Sequence, residues 1–160
     1  MNAVVMVTVN LQSILKLPLL LQHHFHAGSE HTVDGKQHPM EAHLVHQSKD
    51  GELGVIGVFI DVGKENKFLK EVFDAMPAHT GEKEVSTTKI LYANELIPNS
   101  KSYYHYLGSL TTPPCTQIVE WYVMQEPITI SQAQLKQFET LYTGNFRPTQ
   151  EMGSRKLLKR

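Results

Sequence analysis

Residues 19–27 have the sequence LLLQHHFHA, and residues 40–46 have the sequence MEAHLVH. Both stretches are typical of short β-strands, in which side chains two positions apart point to the same face. His24 and His26 therefore share one face of the first strand. If the two strands pair, His43 can add a third imidazole to that face. These two stretches predict a sheet that carries a cluster of histidines.

Three imidazoles on one face are a typical ligand set of a catalytic zinc site. Three histidine ligands leave the fourth position of tetrahedral Zn²⁺ open, and water bound there can give hydroxide near neutral pH. Metal-bound histidines usually donate their other ring N–H to a nearby acceptor. Gln22 and Glu41 lie two residues before His24 and His43, on the same strand faces. We therefore predict a zinc site of His24, His26 and His43, oriented by Gln22 and Glu41.

A second metal-binding pattern overlaps the first. The spacing His24-x-His26-x-x-x-Glu30 is that of the first metal motif of the cupins, which often hold iron or manganese. That motif continues to a glycine several residues later, and Gly35 comes too early. A second motif of the type Pro-x-Gly-x-x-His does not follow. A cupin-like metal protein therefore stays a remote alternative.

The composition sets limits on the class of protein. The chain has 160 residues, with 15 lysines and arginines against 16 aspartates and glutamates, so nothing suggests nucleic acid or an anionic membrane as a partner. The length predicts one domain, and 41% hydrophobic with 19% charged residues is typical of a globular chain. A single cysteine, Cys115, excludes an internal disulfide framework and a cysteine-rich zinc module.

The remaining periodicity predicts a strand-dominated domain with two short helices. Further strands are expected at residues 4–9, 53–62, 90–96, 103–110 and 117–124. Apolar residues at helical spacing predict one helix over residues 66–76. Ser131 and Gln134 fit a capping box that opens a second helix, which ends near Gly144.

The apolar N-terminal stretch gives no targeting signal. No lysine or arginine precedes the first apolar run, which a secretory signal would need. Polar residues and Pro18 interrupt the run, whereas a spanning helix needs about 20 apolar residues. Localisation is therefore not encoded in this stretch, and no membrane partner is expected.

Four motifs in one order then carry a resemblance to a known family. They are QHHFHAGSEHTVDG at residues 22–35, MEAHLVH at 40–46, GSLTTPPC at 108–115 with Trp121 following, and NFRP at 145–148. Together they resemble the α-class carbonic anhydrases, from about residue 20 to the C-terminus. Ala27 and Cys115 are most similar to bacterial or extracellular members. The resemblance implies a predominantly β fold with a mixed, mainly antiparallel central sheet and a few short peripheral helices.

The resemblance also implies an activity. Members hydrate carbon dioxide reversibly to bicarbonate and a proton, by zinc-bound hydroxide, and are zinc lyases. His24, His26 and His43 would bind Zn²⁺. Thr111 would accept the hydroxide hydrogen and donate its own to Glu30, since a carboxylate only accepts.

The resemblance assigns the remaining site residues to two groups. The apolar carbon dioxide pocket would be formed by Val45, Val55, Leu110 and Trp121, with Thr112 beside the bicarbonate site. Residues behind the ligands would be Gln22, Glu41, His31, Tyr106 and Asn145, whose backbone carbonyl would hold His26. The expected partner is thus a small molecule, and the oligomeric state stays open.

The chain departs from the family at its start. About twenty residues precede Gln22, whereas domains of this kind run to about 200–250 residues. We therefore expect an N-terminally truncated member without its proton-shuttle histidine, in which Cys115 lacks its usual partner and is a free thiol. His23 replaces the usual phenylalanine, which would strain the apolar core. A zinc-binding but catalytically poor or unstable remnant is the alternative. The family suggests a periplasmic or secreted location, although no signal peptide is present.

Overall fold

The computed structural model describes residues 3–5, 19–76 and 93–160. Their strands form one central sheet and a small hairpin. The strands are β1 (Ala3–Val5), β2 (Leu19–Ala27), β3 (Thr32–Val33), β4 (Lys36–Gln37), β5 (Met40–Gln47), β6 (Leu53–Val62), β7 (Tyr103–Gly108), β8 (Val119–Met124), β9 (Ile128–Ile130) and β10 (Leu158–Lys159). The order across the sheet is β1-β2-β5-β6-β8-β7-β10, with β9 beside the end of β6, while β3 and β4 form the hairpin.

The sheet is mixed and mainly antiparallel, as the resemblance implies. The pairs β1–β2, β2–β5, β5–β6, β7–β8 and β7–β10 are antiparallel, whereas β8 and β9 both run parallel to β6. The central strand β6 is rich in valine, isoleucine and glycine and is buried along most of its length. A near-continuous apolar run is typical of a strand that is covered on both faces.

One face of the sheet packs against two helices, α1 (Lys67–Asp74) and α2 (Gln132–Glu139). Phe25 of β2, Phe73 of α1 and Phe138 of α2 contact each other at centroid distances of 5.5–6.2 Å. Helix α2 begins with the predicted capping box, in which Ser131 and Gln134 satisfy each other's backbone N–H groups. This face is the main hydrophobic core of the described residues.

The opposite face carries a second, smaller apolar cluster. Its buried members are Val55, Phe59, Val119, Trp121 and Val123, from β6 and β8. This cluster lies on the same face of the sheet as His24, His26 and His43, because Trp121 contacts His43 at a centroid distance of 4.8 Å. The apolar cluster therefore forms the floor beside the histidine site.

Two of the predicted strands lie only partly within the described residues. The strand expected at residues 90–96 is wrong where it is described, because Ala93–Leu96 is a single 3₁₀ turn. Two adjacent polar residues followed by two apolar ones break the strand alternation there, and Pro98 cannot extend a ladder. Of the strand expected at 4–9, β1 covers residues 4 and 5, and the rest lies outside the described residues. Among the described helices, none is long and apolar enough to cross a membrane.

Candidate metal centre

The antiparallel pair β2–β5 brings the three predicted ligands together. Its register sets His24 directly opposite His43, and His26 lies two positions along β2 on the same face. The three rings approach each other with centroid distances of 4.6–5.1 Å. All three residues are buried. The structure thus forms a compact group of three imidazoles that can hold a metal ion.

Hydrogen bonds fix the tautomers of the two β2 histidines. His24 Nδ1 lies 2.9 Å from Gln22 Oε1, and His26 Nδ1 lies 2.7 Å from the Asn145 backbone carbonyl oxygen. Both partner atoms are acceptors, so each Nδ1 carries the proton and donates. The Nε2 lone pairs of His24 and His26 are therefore directed into the site.

His43 faces the site with Nδ1, whereas His24 and His26 face it with Nε2. Its Nε2 lies 3.0 Å from Glu41 Oε1 and donates to that carboxylate, which leaves a lone pair on Nδ1. His43 Nδ1 and His26 Nε2 are 3.2 Å apart. Two facing lone pairs repel each other, whereas two nitrogen ligands of tetrahedral Zn²⁺ are about 3.3 Å apart for Zn–N distances of 2.0–2.1 Å. The donor set therefore fits a zinc ion.

Glu41 is the hydrogen-bond hub behind His43. Its Oε2 accepts from the backbone N–H groups of Glu30 and His31 at 2.9 and 3.0 Å, and its Oε1 accepts from His31 Nδ1 and His43 Nε2 at 2.7 and 3.0 Å. Burial opposes the charge, but the two imidazoles and their hydrogen bonds hold the Glu41 pKa well below its usual range. Glu41 therefore stays ionised and fixes the orientation of His43.

Burial keeps the imidazoles of His24 and His26 neutral. It lowers the pKa of His24 to about 2, together with the neighbouring histidines, and the pKa of His26 to about 4. A metal ligand must be deprotonated before it can bind. The site is therefore ready for a cation near neutral pH without proton loss from these two rings.

His31 and Tyr106 extend the network away from the metal centre. His31 Nε2 lies 2.7 Å from Tyr106 Oη, and the rings are 5.8 Å apart. Burial alone would lower the pKa of His31, but the Glu41 carboxylate raises it above its ordinary value. Both residues thus lie where the resemblance implies them, behind the ligands.

A cavity of about 390 Å³ opens on two of the ligands. Its walls are Gln22, His24, His43, Val45, Val55, Leu110, Thr111, Thr112, Val119 and Trp121. Every predicted substrate residue is among them. Val119 was not predicted, although its alternation with Trp121 on β8 would place both side chains on this face.

The arrangement of Glu30 differs from the expectation. Its Oε1 accepts from the Arg147 backbone N–H at 2.7 Å, but its buried Oε2 has no hydrogen-bond partner among the described residues. The expected hydrogen bond from the Thr111 hydroxyl to this oxygen is therefore not formed. Oε2 lies instead 3.3 Å from His26 Nε2. Thr111 and Glu30 do share the wall of a second cavity of about 340 Å³, so the role of the pair stays a prediction.

Residues outside the ligand set fall into two environments. His23 and His46 are fully buried on the core side of β2 and β5, and both ring nitrogens of His23 lack a partner among the described residues. His38 pairs with Asp61 at 2.7 Å and stacks on Phe59, and it is half-buried. Cys115 is a free, half-exposed thiol, as predicted.

Comparison with known proteins gives a consistent family. The family described as eukaryotic-type carbonic anhydrase matches residues 18–160. A carbonic anhydrase of Nostoc sp. is 44% identical over 137 residues, which are 85% of this chain and 52% of the relative. A carbonic anhydrase of Pectobacterium atrosepticum is 41% identical over 85% of this chain and 56% of its own length. The chain thus spans little more than half the length of these two relatives.

A solved structure agrees with the fold. The α-carbonic anhydrase of Thermovibrio ammonificans, in complex with the inhibitor sulfanilamide, superposes with a TM-score of 0.84 at 44% identity. The superposition covers 90% of this chain and 64% of the other.

Proposed function

The chain belongs to the eukaryotic-type, or α-class, carbonic anhydrase family, and from that membership we propose that it hydrates carbon dioxide reversibly to bicarbonate and a proton. His24, His26 and His43 would hold Zn²⁺ as the cofactor. The cupin-like alternative is wrong, because the family match covers residues 18–160.

The observation that carries the proposal is the convergence of three imidazoles whose tautomers are each fixed by a hydrogen bond. Each has its second nitrogen occupied by an acceptor, on Gln22, Asn145 or Glu41. Each therefore has one lone pair left, and the three ligand nitrogens lie within 4.8 Å of one another. Such an arrangement leaves no hydrogen-bonding role for these lone pairs, and it suits a cation.

The cavity walls suit the proposed substrate and product. A bound zinc ion supplies Lewis-acid activation of water near neutral pH. Val45, Val55, Leu110 and Trp121 offer an apolar surface to carbon dioxide, which carries no net charge to pair. Thr111 and Thr112 place hydroxyl groups at the same cavity, where a bicarbonate oxygen needs donors.

Glu30 would act through Thr111. Its carboxylate can only accept, so a hydrogen bond from Thr111 would turn the lone pairs of that hydroxyl toward the cavity. Glu30 Oε2 is the buried acceptor available for this bond, because the Arg147 N–H occupies Oε1. We place Thr111 and Glu30 as the pair that orients the reacting water.

Two observations favour the second candidate, a zinc-binding but catalytically poor or unstable chain. The hydrogen bond between Thr111 and Glu30 Oε2 is not formed, and apolar residues such as Leu157 and Met152 are 53% and 40% exposed. In that case the ligands would bind zinc while hydration stays slow.

From the resemblance to bacterial or extracellular members, we further propose a periplasmic or secreted location.

The test separates metal binding from activity. Zinc per chain is counted after purification, and carbon dioxide hydration is followed with a sulfonamide as probe of the site. We expect one zinc per chain, which His43→Ala removes and His105→Ala, a half-exposed histidine outside the site, does not. Zinc with no hydration would favour the second candidate, and no zinc in the parent would refute the proposed function.

A further inference from the structure

We propose that Arg155, near the C-terminus, is a positioning residue for the metal centre, which it supports through Tyr106, His31 and Glu41. Its guanidinium carbon lies 5.7 Å from the centroid of the Tyr106 ring. A cation over an aromatic face is attracted by the negative face of the ring. The inference rests on the proposed metal site.

The C-terminal segment holds the Arg155 side chain in one place. Its Nε donates to the Met152 carbonyl at 2.9 Å, and another guanidinium nitrogen donates to the Glu151 carbonyl. The Arg155 backbone N–H also donates to Met152 O, at 3.1 Å. These bonds fold the segment 151–155 on itself and leave the guanidinium facing Tyr106. The arginine is half-buried, and its guanidinium group is a cation that only donates hydrogen bonds.

From Tyr106 an unbroken series of hydrogen bonds leads to a proposed zinc ligand. Tyr106 Oη lies 2.7 Å from His31 Nε2, and His31 Nδ1 lies 2.7 Å from Glu41 Oε1. The same Oε1 accepts from His43 Nε2 at 3.0 Å, which leaves His43 Nδ1 for the metal. Each hydrogen bond in the series fixes the orientation of the next side chain toward His43. The Arg155 contact is therefore the outermost constraint on His43.

The surroundings of Tyr106 explain why an outer constraint is needed. Tyr106, His31 and Arg155 all line the cavity of about 340 Å³. A side chain beside open space can swing about its Cα–Cβ bond, and if Tyr106 swings in this way its hydroxyl leaves His31. Without that partner, the His31 ring holds Glu41 in place less firmly.

The chain contains a matched control on the same strand. Lys159 Nζ lies 5.8 Å from the ring centroid of Tyr104, which is two residues before Tyr106 on β7. Tyr104 packs against the apolar cluster that contains Trp121, but among the described residues no hydrogen bond leads from Tyr104 to His31. Removal of Lys159 should therefore eliminate a similar cation–ring contact but leave zinc binding unchanged.

The experiment compares Arg155→Met with Lys159→Met in the full chain. Partners behind the ligands typically change metal affinity about 10–100-fold when removed. For Arg155, which acts three contacts further out, we expect about three- to tenfold faster zinc release and a shifted visible spectrum of the cobalt-loaded protein. Arg155→Lys should recover most of both properties. Lys159→Met should behave as the parent.

Two further measurements make the inference falsifiable. In the Tyr106→Phe background, Arg155→Met should add almost nothing to zinc release, because the route is already broken. In the metal-free protein, the NMR signal of the His31 ring N–H should exchange with water faster in Arg155→Met but not in Lys159→Met. Equal behaviour of the two methionine variants, or additive effects with Tyr106→Phe, would overturn the inference. A parent without zinc would refute the proposed function, and the His31 signal would still test the Arg155 contact.

Discussion

Replacement of His23 by phenylalanine should stabilise the protein. The imidazole is 0% exposed, packs edge-on against Phe25 at 5.7 Å, and has no hydrogen-bond partner for either ring nitrogen among the described residues. An unsatisfied buried polar group costs about 1–3 kcal/mol. We therefore expect His23→Phe to raise the free energy of unfolding at pH 7 by about that amount.

The gain should grow as the pH falls. Burial lowers the pKa of His23 to about 4, whereas in the unfolded chain it titrates near 6.5. Between pH 7 and 5 the unfolded chain binds a proton at this position and the folded chain does not, so the parent loses stability. The loss over this interval is about 2 kcal/mol, and phenylalanine cannot undergo it. The advantage of the variant should therefore increase by about 2 kcal/mol between pH 7 and pH 5.

Urea unfolding of the metal-free protein at both pH values measures this difference, with a chelator present because zinc binding is itself linked to pH. His23→Leu guards against overpacking, since phenylalanine is larger than histidine. His105→Phe is the control, because that imidazole is only half-buried and pairs with Glu120 at 2.7 Å. A variant no more stable than the parent at pH 5, with both Phe and Leu, would contradict the argument.

Three more predictions concern single contacts. Glu41→Gln removes the charge that fixes His43 and should weaken zinc binding about 10–100-fold in a chelator competition. Unchanged affinity would show that Glu41 does not act on His43. A Cβ at Gly57 would lie 2.7 Å from Glu41 Oε1, so Gly57→Ala should displace that carboxylate and also weaken zinc binding, whereas equal affinity would mean that the strand yields instead. Ser131→Ala removes half of the capping box of α2 and should lower the free energy of unfolding by about 1 kcal/mol. Zinc affinity should stay unchanged, and weaker zinc binding would link α2 to the site.

The ligand cluster could be predicted from sequence because its geometry is local. The period of two along β2 and β5 places His24, His26 and His43 on one face, and the same period identifies Gln22 and Glu41 beside them. One pair of strands is therefore sufficient to bring these five side chains together. The same holds for the capping box of α2, which is a four-residue pattern.

The features that sequence reasoning missed depend on contacts between distant segments. The Arg147 backbone N–H reaches Glu30 across 117 positions, and the position of Arg155 over Tyr106 follows from the path of the C-terminal segment. His38 is half-buried for the same kind of reason, because Asp61 and Phe59 of β6 cover it. Such contacts have no local pattern, because they are decided by how finished elements pack.

The separation along the chain between the parts of the metal site has a consequence for the order of assembly. His26 and His43 are 17 positions apart within one strand pair, whereas the Asn145 carbonyl that fixes the His26 tautomer is 119 positions away. Closure of a short loop costs less chain entropy than closure of a long one. We therefore expect pulse-labelled hydrogen exchange to show the N–H groups between β2 and β5 protected before that of Ala27, which ends β2 and is bonded to the Asn145 side chain. The three proposed ligands would then come together first on the pair β2–β5, and the C-terminal segment would join them last.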